Sequence, residues 1–423
     1  MEVLRRGSIG PYTELLQRTL QRLGYYDGAI DGIFGPQTEA ALIAYQRGAG
    51  LSPDGIAGPL TWAALMPMIN GYAVHIVRSG DTLYRIARSY GVTVSAIVAA
   101  NPGINAELIY PGQSVIVPFS DSIVFTDISY SSDMLRLNID ALERRYPFIE
   151  VSSIGSSVLG KDIYLLKIGR GQTEVFYNAS HHANEWITTP VVIKFLEDYA
   201  RAYATGGAIN GIPAATLYDS RTLYIAPMIN PDGVDLVTGQ IKPGTAAYNS
   251  AYAIRGDSIP FPSGWKANIR GVDINVNYPA EWELAREEKF AQGFTRPGPR
   301  DYVGPYPLSE PESRAAAAFT RMHNFRLVLA YHTQGGVIFW TFMDYDPPDA
   351  GRIGREFERV SGYSLAIPDV YSSYAGYKDW FIQEFNMPGY TIEAGQGVNP
   401  LPISQFPEIY EENRGILVTG LRE

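Results

Sequence analysis

The apolar positions of this chain follow three different rhythms. Up to about residue 70 the spacing is helical, as Ala40, Ala41, Leu42 and Tyr45 show together with the polar Gln46. A phrase recurs within this segment: Asp31-Gly-Ile-Phe-Gly-Pro-Gln-Thr38 returns as Asp54-Gly-Ile-Ala-Gly-Pro-Leu-Thr61. Its glycines and proline predict a tight turn, and its threonine stands where it could cap the helix that follows. From Tyr72 the pattern alternates through Val74 and Ile76, turns at Ser79-Gly-Asp81, and becomes helical over Leu83–Arg88 and again near Ser95–Ala99. A last strand is predicted over Ser114–Pro118.

Beyond residue 124, apolar runs of strand length (Asp162–Ile168, Glu174–Asn178, Thr222–Met228, Leu327–Tyr331, Gly389–Ile392) alternate with helix-like stretches (Val191–Ala202, Ser313–Met322). This alternation predicts an α/β domain with a mixed sheet covered by helices on both faces. Ser309-Glu-Pro-Glu312 reads as a capping box opening one helix, with proline tolerated in the first turn. The expected division is therefore 1–70, 72–118 and 124–423.

Composition narrows the function classes. A chain of 423 residues with 46% hydrophobic residues can bury at least one large core. Its net charge of −10 argues against nucleic-acid binding. No cysteine is present, so disulfides and thiol nucleophiles are excluded. No apolar run reaches transmembrane length. The first residues, Met1-Glu-Val-Leu-Arg-Arg-Gly7, lack a signal-peptide core, so export would rely on a signal already removed or on another route.

Candidate chemistry lies in the histidines, of which there are five: His75, His181, His182, His323 and His332. His182-Ala-Asn-Glu185 follows a strand-like run, and His332 closes another, Leu327-Val-Leu-Ala-Tyr. A short His-x-x-Glu pair joined by a distant histidine is a way to build a catalytic zinc site, with a fourth position open for water. In open sheets such sites gather beyond the carboxyl ends of strands.

Three resemblances follow from these motifs. The repeat segment, with Leu23-Gly-Tyr-Tyr26 and Thr61-Trp62, resembles the three-helix peptidoglycan-binding domain of bacterial wall hydrolases. Gly80-Asp-Thr-Leu83, Asn101-Pro102 and Pro111-Gly-Gln113 resemble a LysM module, a βααβ unit that binds N-acetylglucosamine-containing glycans. Residues 124–423 resemble the zinc metallocarboxypeptidases through His182/Glu185/His332, Asn230-Pro-Asp-Gly233, Gly271-Val-Asp-Ile-Asn275, Ser309-Glu310, Asp379-Trp380 and Thr391-Ile-Glu393.

The last resemblance implies one Zn2+ per chain on His182, Glu185 and His332. It assigns Asp273 to orienting His182, Glu393 to general-base catalysis, and Lys266, or alternatively Arg270, to the oxyanion. Asn275 would meet substrate, and Tyr371, or alternatively Tyr374, would close over it.

Two departures bear on the substrate. The family's carboxypeptidases carry Asn-Arg-Asn after Gly-Val-Asp-x, and the arginine clamps a free C-terminal carboxylate. Here Val276 stands between Asn275 and Asn277, so that charge-assisted fork is gone. At the floor of the pocket for the leaving residue stands Lys378, which suits a carboxylate such as the second one of diaminopimelate. These departures resemble the branch that cleaves γ-D-glutamyl–diaminopimelate bonds in peptidoglycan stems. The expectation is a wall-bound, extracytoplasmic zinc peptidase of that kind, acting in the cell wall or spore. Its partners would be peptidoglycan glycan and stem peptide, with neither nucleic acid nor a membrane span. The alternative is a wall-anchored carboxypeptidase for acidic C-terminal residues.

Overall fold

The computed structural model describes residues 1–257, 259–368 and 374–423, and its contacts divide the chain into two units, Met1–Ile149 and Glu150–Glu423. Three helices, Pro11–Arg22, Pro36–Gly48 and Pro59–Asn70, open the first unit. Each begins at a Gly-Pro step, which places proline at the first helical position where its missing N–H costs nothing. The expected threonine caps are not formed: Thr38 and Thr61 lie inside the first turn and accept from the side-chain amides of Gln17 and Gln46. Those two glutamines are the internal repeat in three dimensions. Gln17 also donates to Asp31 at 2.8 Å and to the Ile33 carbonyl, and Gln46 repeats this with Asp54 at 2.9 Å and Ile56.

The βααβ module follows. Strands β1 (Tyr72–Ile76) and β2 (Ser114–Pro118) pair antiparallel, and Thr82 and Thr93 cap the helices Leu83–Tyr90 and Val94–Ala100. Leu83, Ile86, Ile97, Val115 and Val117 form its core. The Asn101-Pro102 signature has a mechanical cause: the Asn101 amide donates to the Ile97 and Ile116 carbonyls and accepts the Ile116 N–H, tying helix to strand. The helix Ser132–Arg145 also packs within this first unit.

The second unit holds an eight-stranded mixed sheet built from β3 (Glu150–Ser156), β4 (Asp162–Gly169), β5 (Thr173–Ala179), β8 (Arg221–Ala226), β9 (Phe325–His332), β10 (Val337–Phe339), β11 (Ser364–Ala366) and β12 (Gly389–Glu393). A separate short hairpin, β6 (Ala208–Ile209) and β7 (Ile212–Pro213), lies outside it. The strand order is β11-β10-β12-β9-β5-β8-β4-β3, with β12, β9, β5 and β8 mutually parallel at the centre. All five predicted strands and both predicted helices are present, shifted by a few residues at their ends. Side-chain alternation along β5 explains the two helical layers. Phe176 packs against Phe319 and Tyr377 on one face, while Tyr177 meets Phe195 and donates to the Leu417 carbonyl on the other.

The capping box is a second correction. The helix Pro311–Arg321 takes Glu310 as its N-cap without a side-chain cap bond, and the Ser309 hydroxyl donates to Glu310 instead. Among the described residues no helix is long and apolar enough to cross a membrane.

Candidate active site

The carboxyl ends of the central parallel strands carry the site. β9 ends on His332, and β12, its parallel neighbour, ends on Glu393. β5 runs out at Ala179 into a turn, after which a single helical turn, Ala183–Glu185, sets His182 and Glu185 on one side. Asn230 holds this corner in place, its amide bonding to the carbonyls of His181 and Ala267. Gly233, three residues on, allows the approach, because a Cβ there would come within 2.7 Å of the Ala267 oxygen.

His182, Glu185 and His332 are buried together, with their ligating atoms within 4.8 Å of one another. Nδ1 of His182 lies 3.0 Å from one Glu185 oxygen, and Nδ1 of His332 lies 2.9 Å from the other. The two Nδ1 atoms are only 3.1 Å apart. Nε2 of His182 meets Asp273 at 3.1 Å and is its natural donor, which leaves Nδ1 as a lone pair facing a carboxylate and a second imidazole. Electron pairs converging in this way fit a divalent cation.

The electrostatics agree. Burial opposes charge on His182, but Glu185 and Asp273 raise it to about 9, so these carboxylates recruit positive charge. Glu185 and Asp273 are themselves held well below the ordinary carboxylate range: burial opposes this, and the His182 charge overrides it. His181, next in sequence, is driven well down by burial and then by the other two histidines. Its Nε2 meets the Tyr278 hydroxyl at 2.9 Å, and it stacks on His332 without joining the ligand trio.

Glu393 faces the trio across the cleft. Burial first, and the Glu185 charge second, push it up to about 8 against the pull of Lys266 and His182. Lys266 also lines the cleft, its ammonium 4.0 Å from Asp273. Arg270 does not: its guanidinium is half-exposed and turns to Glu310 at 3.5 Å. Arg270 is instead paired with Glu310, whose carboxylate also accepts from Asn268.

The cleft has two lobes that meet at Lys266, Arg300, Phe339 and Glu393. One lobe, about 310 Å³, contains Asn275, Val276, Tyr374 and Lys378. The other, about 560 Å³, contains Asn184, Gly264, Thr333, Val337 and Asn399. Asn275 lines the first lobe and accepts the Tyr377 N–H through Oδ1. Asn277, by contrast, is wholly buried and ties loops together through Val303, Tyr306 and Ser313. Lys378 is nearly buried, donating to the Thr341 carbonyl at 2.6 Å and paired with Asp379. Tyr371 lies outside the described residues.

Two neighbours of the site carried no signal in the sequence. Asn399 donates to Glu185 at 3.4 Å and to the Thr333 carbonyl. Arg300 lines both lobes. Neither stands in a periodic segment or a ligand-spaced motif, and only folding brings them in.

A zinc trio at the carboxyl edge of a mixed sheet, with a facing glutamate, defines a metallopeptidase of the carboxypeptidase type. The chain belongs to the zinc carboxypeptidase family, whose model matches residues 136–415. Models of a peptidoglycan binding domain and of the LysM domain match residues 10–65 and 75–118, consistent with an extracytoplasmic place at the cell wall. The chain is 47% identical to gamma-D-glutamyl-L-diamino acid endopeptidase 1 of Lysinibacillus sphaericus, over 69% of this chain and 72% of that protein. It is 37% identical to the uncharacterized protein YqgT of Bacillus subtilis (strain 168), over 71% and 80%. In fold it is similar to bovine thrombin-activatable fibrinolysis inhibitor in complex with tick carboxypeptidase inhibitor, with a TM-score of 0.53, 19% identity, and coverage of 70% of this chain and 96% of that one.

Proposed function

We propose that this protein hydrolyses the γ-D-glutamyl–meso-diaminopimelate bond of peptidoglycan stem peptides while residues 1–70 and 72–118 hold it on the wall glycan. The observation that carries this reading is Val276. It lines the lobe beside Asn275, where a carboxypeptidase needs its arginine clamp, while the zinc trio and Glu393 are intact. The relative at 47% identity, a γ-D-glutamyl-L-diamino acid endopeptidase by name, supports it.

Zinc, when bound, polarises a carbonyl and acidifies water. Asp273 keeps the proton of His182 on Nε2, so that Nδ1 stays available as a ligand. Glu393, whose raised pKa lets it exchange protons near neutrality, takes the proton of the attacking water and returns it to the leaving amine. The Lys266 ammonium faces the oxygen on which charge develops. Asn275 meets the leaving residue, and Lys378, with a third ammonium proton left after Thr341 and Asp379, meets its distal carboxylate. Attachment to glycan raises the local concentration of stems around the site.

Mass spectrometry of purified muropeptides, incubated with and without a zinc chelator, tests this. Chelator-sensitive release of diaminopimelate-containing fragments, leaving a terminal D-glutamate on L-Ala–D-Glu, is expected. Intact muropeptides together with trimmed C-termini on control peptides would make the protein a wall-anchored carboxypeptidase instead.

A further inference from the structure

We infer that Arg300 binds the free α-carboxylate of the γ-linked D-glutamyl residue and is the cleft's test for a free carboxylate on that residue. The inference rests on the function proposed above and deepens it.

Arg300 is the only arginine lining either lobe among the described residues, and it stands where the lobes meet, beside Lys266 and Glu393. Its backbone is pinned on both sides. The Pro299 carbonyl accepts the N–H groups of Lys266 and Ala267 at 2.8 and 2.9 Å, and the Asp301 N–H donates to Asp273 at 3.2 Å. Asp301 turns the chain there with a φ of 62°, in the left-handed region. Its carboxylate, also bound by Lys289 at 2.7 Å, holds the Nε of Arg300. One edge of the guanidinium is thus anchored. Its terminal nitrogens have no hydrogen-bond partner among the described residues, and the side chain is 47% exposed. A pre-set, half-exposed fork at the reacting centre is suited to a carboxylate.

Each of the other cations of the cleft has a protein partner at its charged tip. Lys289 serves Asp301, Lys378 serves Thr341 and Asp379, and Lys266 leans on Asp273. The substrate has a matching group. In a γ-glutamyl amide the α-carboxylate lies four bonds from the scissile carbonyl carbon, at most about 5 Å away. An α-linked residue bears a carboxylate there only when its own side chain is acidic. The second carboxylate of diaminopimelate is at the far end of a longer side chain, toward Lys378. Arg300, at the junction rather than the floor, matches the glutamyl group.

The test uses the full zinc-loaded chain and two synthetic stems that differ only at the glutamyl α-carboxyl, L-Ala–γ-D-Glu–meso-diaminopimelate and its D-isoglutamine counterpart. The wild-type protein is expected to favour the free carboxylate in kcat/KM by about 10- to 100-fold. Arg300→Gln should bring that ratio to near one with zinc content unchanged. Arg300→Lys, which keeps charge without the fork, should fall between, and it carries the test if the glutamine variant does not fold. An undiminished ratio in both variants, or no preference in the wild type, overturns the inference while leaving the proposed reaction standing. A change confined to the tripeptide-to-tetrapeptide preference overturns it too, since it would make Arg300 a clamp for the leaving residue. If the zinc-loaded wild type cuts neither stem, the proposed reaction itself fails.

Discussion

His332 and Glu393 are register partners, the last residues of the adjacent parallel strands β9 and β12. One belongs to the ligand trio and the other faces the trio from the next strand, so their separation is set by the ladder rather than by a loop. Exchanging the Glu393 carboxylate for an amide should therefore leave the ligand trio undisturbed. Glu393→Gln is expected to retain zinc by elemental analysis while turnover falls by about 10²- to 10⁴-fold. Unchanged turnover would remove Glu393 from the proton path.

The raised pKa of Glu393 also has a kinetic signature. As the base it must be ionised, so activity should be lost as pH falls through its folded value. With that value pushed up to about 8 by burial and Glu185, the acid limb of kcat/KM should lie above the ordinary carboxylate range, allowing for the downward pull of bound zinc. A limb near 4 would show that the positive charge around the carboxylate cancels the effect of burial and Glu185.

Asp273 bonds to His182 and also accepts the N–H groups of Asn275 and Asp301. Asp273→Asn should weaken zinc binding by about 10- to 100-fold in chelator competition, with Glu393 still in place. Zinc affinity equal to wild type would mean that the tautomer of His182 is held by the metal alone.

Lys378→Ala should slow cleavage of diaminopimelate stems more than of stems with a lysine at that position, which lack the distal carboxylate. Equal slowing would assign Lys378 only to its pairing with Asp379 and Thr341. Melting temperatures of the variant separate that case from loss of fold.

Away from the cleft, burial raises Glu312 to about 7, opposed by its bonds from Val158 and Asn268. A carboxyl whose folded pKa exceeds its unfolded one adds stability that is full below about 4.5 and is lost as pH rises through about 7. Melting temperature should accordingly decline over that window, and Glu312→Gln should flatten the decline. An identical slope in the variant would show that Glu312 is ionised at neutral pH at no cost.

Much of this was legible in one dimension. The zinc trio could be read because His182 and Glu185 are separated by one short helical turn and His332 ends an apolar strand. The repeat could be read because two copies of one turn need the same glycines. Capping was misread at three places, at Thr38, Thr61 and Ser309. A cap depends on where the first turn starts, and a Gly-Pro or Glu-Pro step shifts that start relative to the side chain. The choice between Lys266 and Arg270 was also invisible, since both stand in one loop four residues apart and differ only in the direction they face.

The sequence by itself determined the metal, the class of chemistry and the wall-binding modules, because each is encoded by short motifs, joined for the metal by a distant strand-end histidine, whose local geometry follows from strand, turn and helix. Only the tertiary structure decided that Lys266 lines the cleft while Arg270 turns to Glu310, where Arg300 and Asn399 stand, and that Lys378 shares its ammonium with Asp379. Those placements come from loops far apart in the chain, and their directions are set by backbone hydrogen bonds that exist only once the sheet has formed.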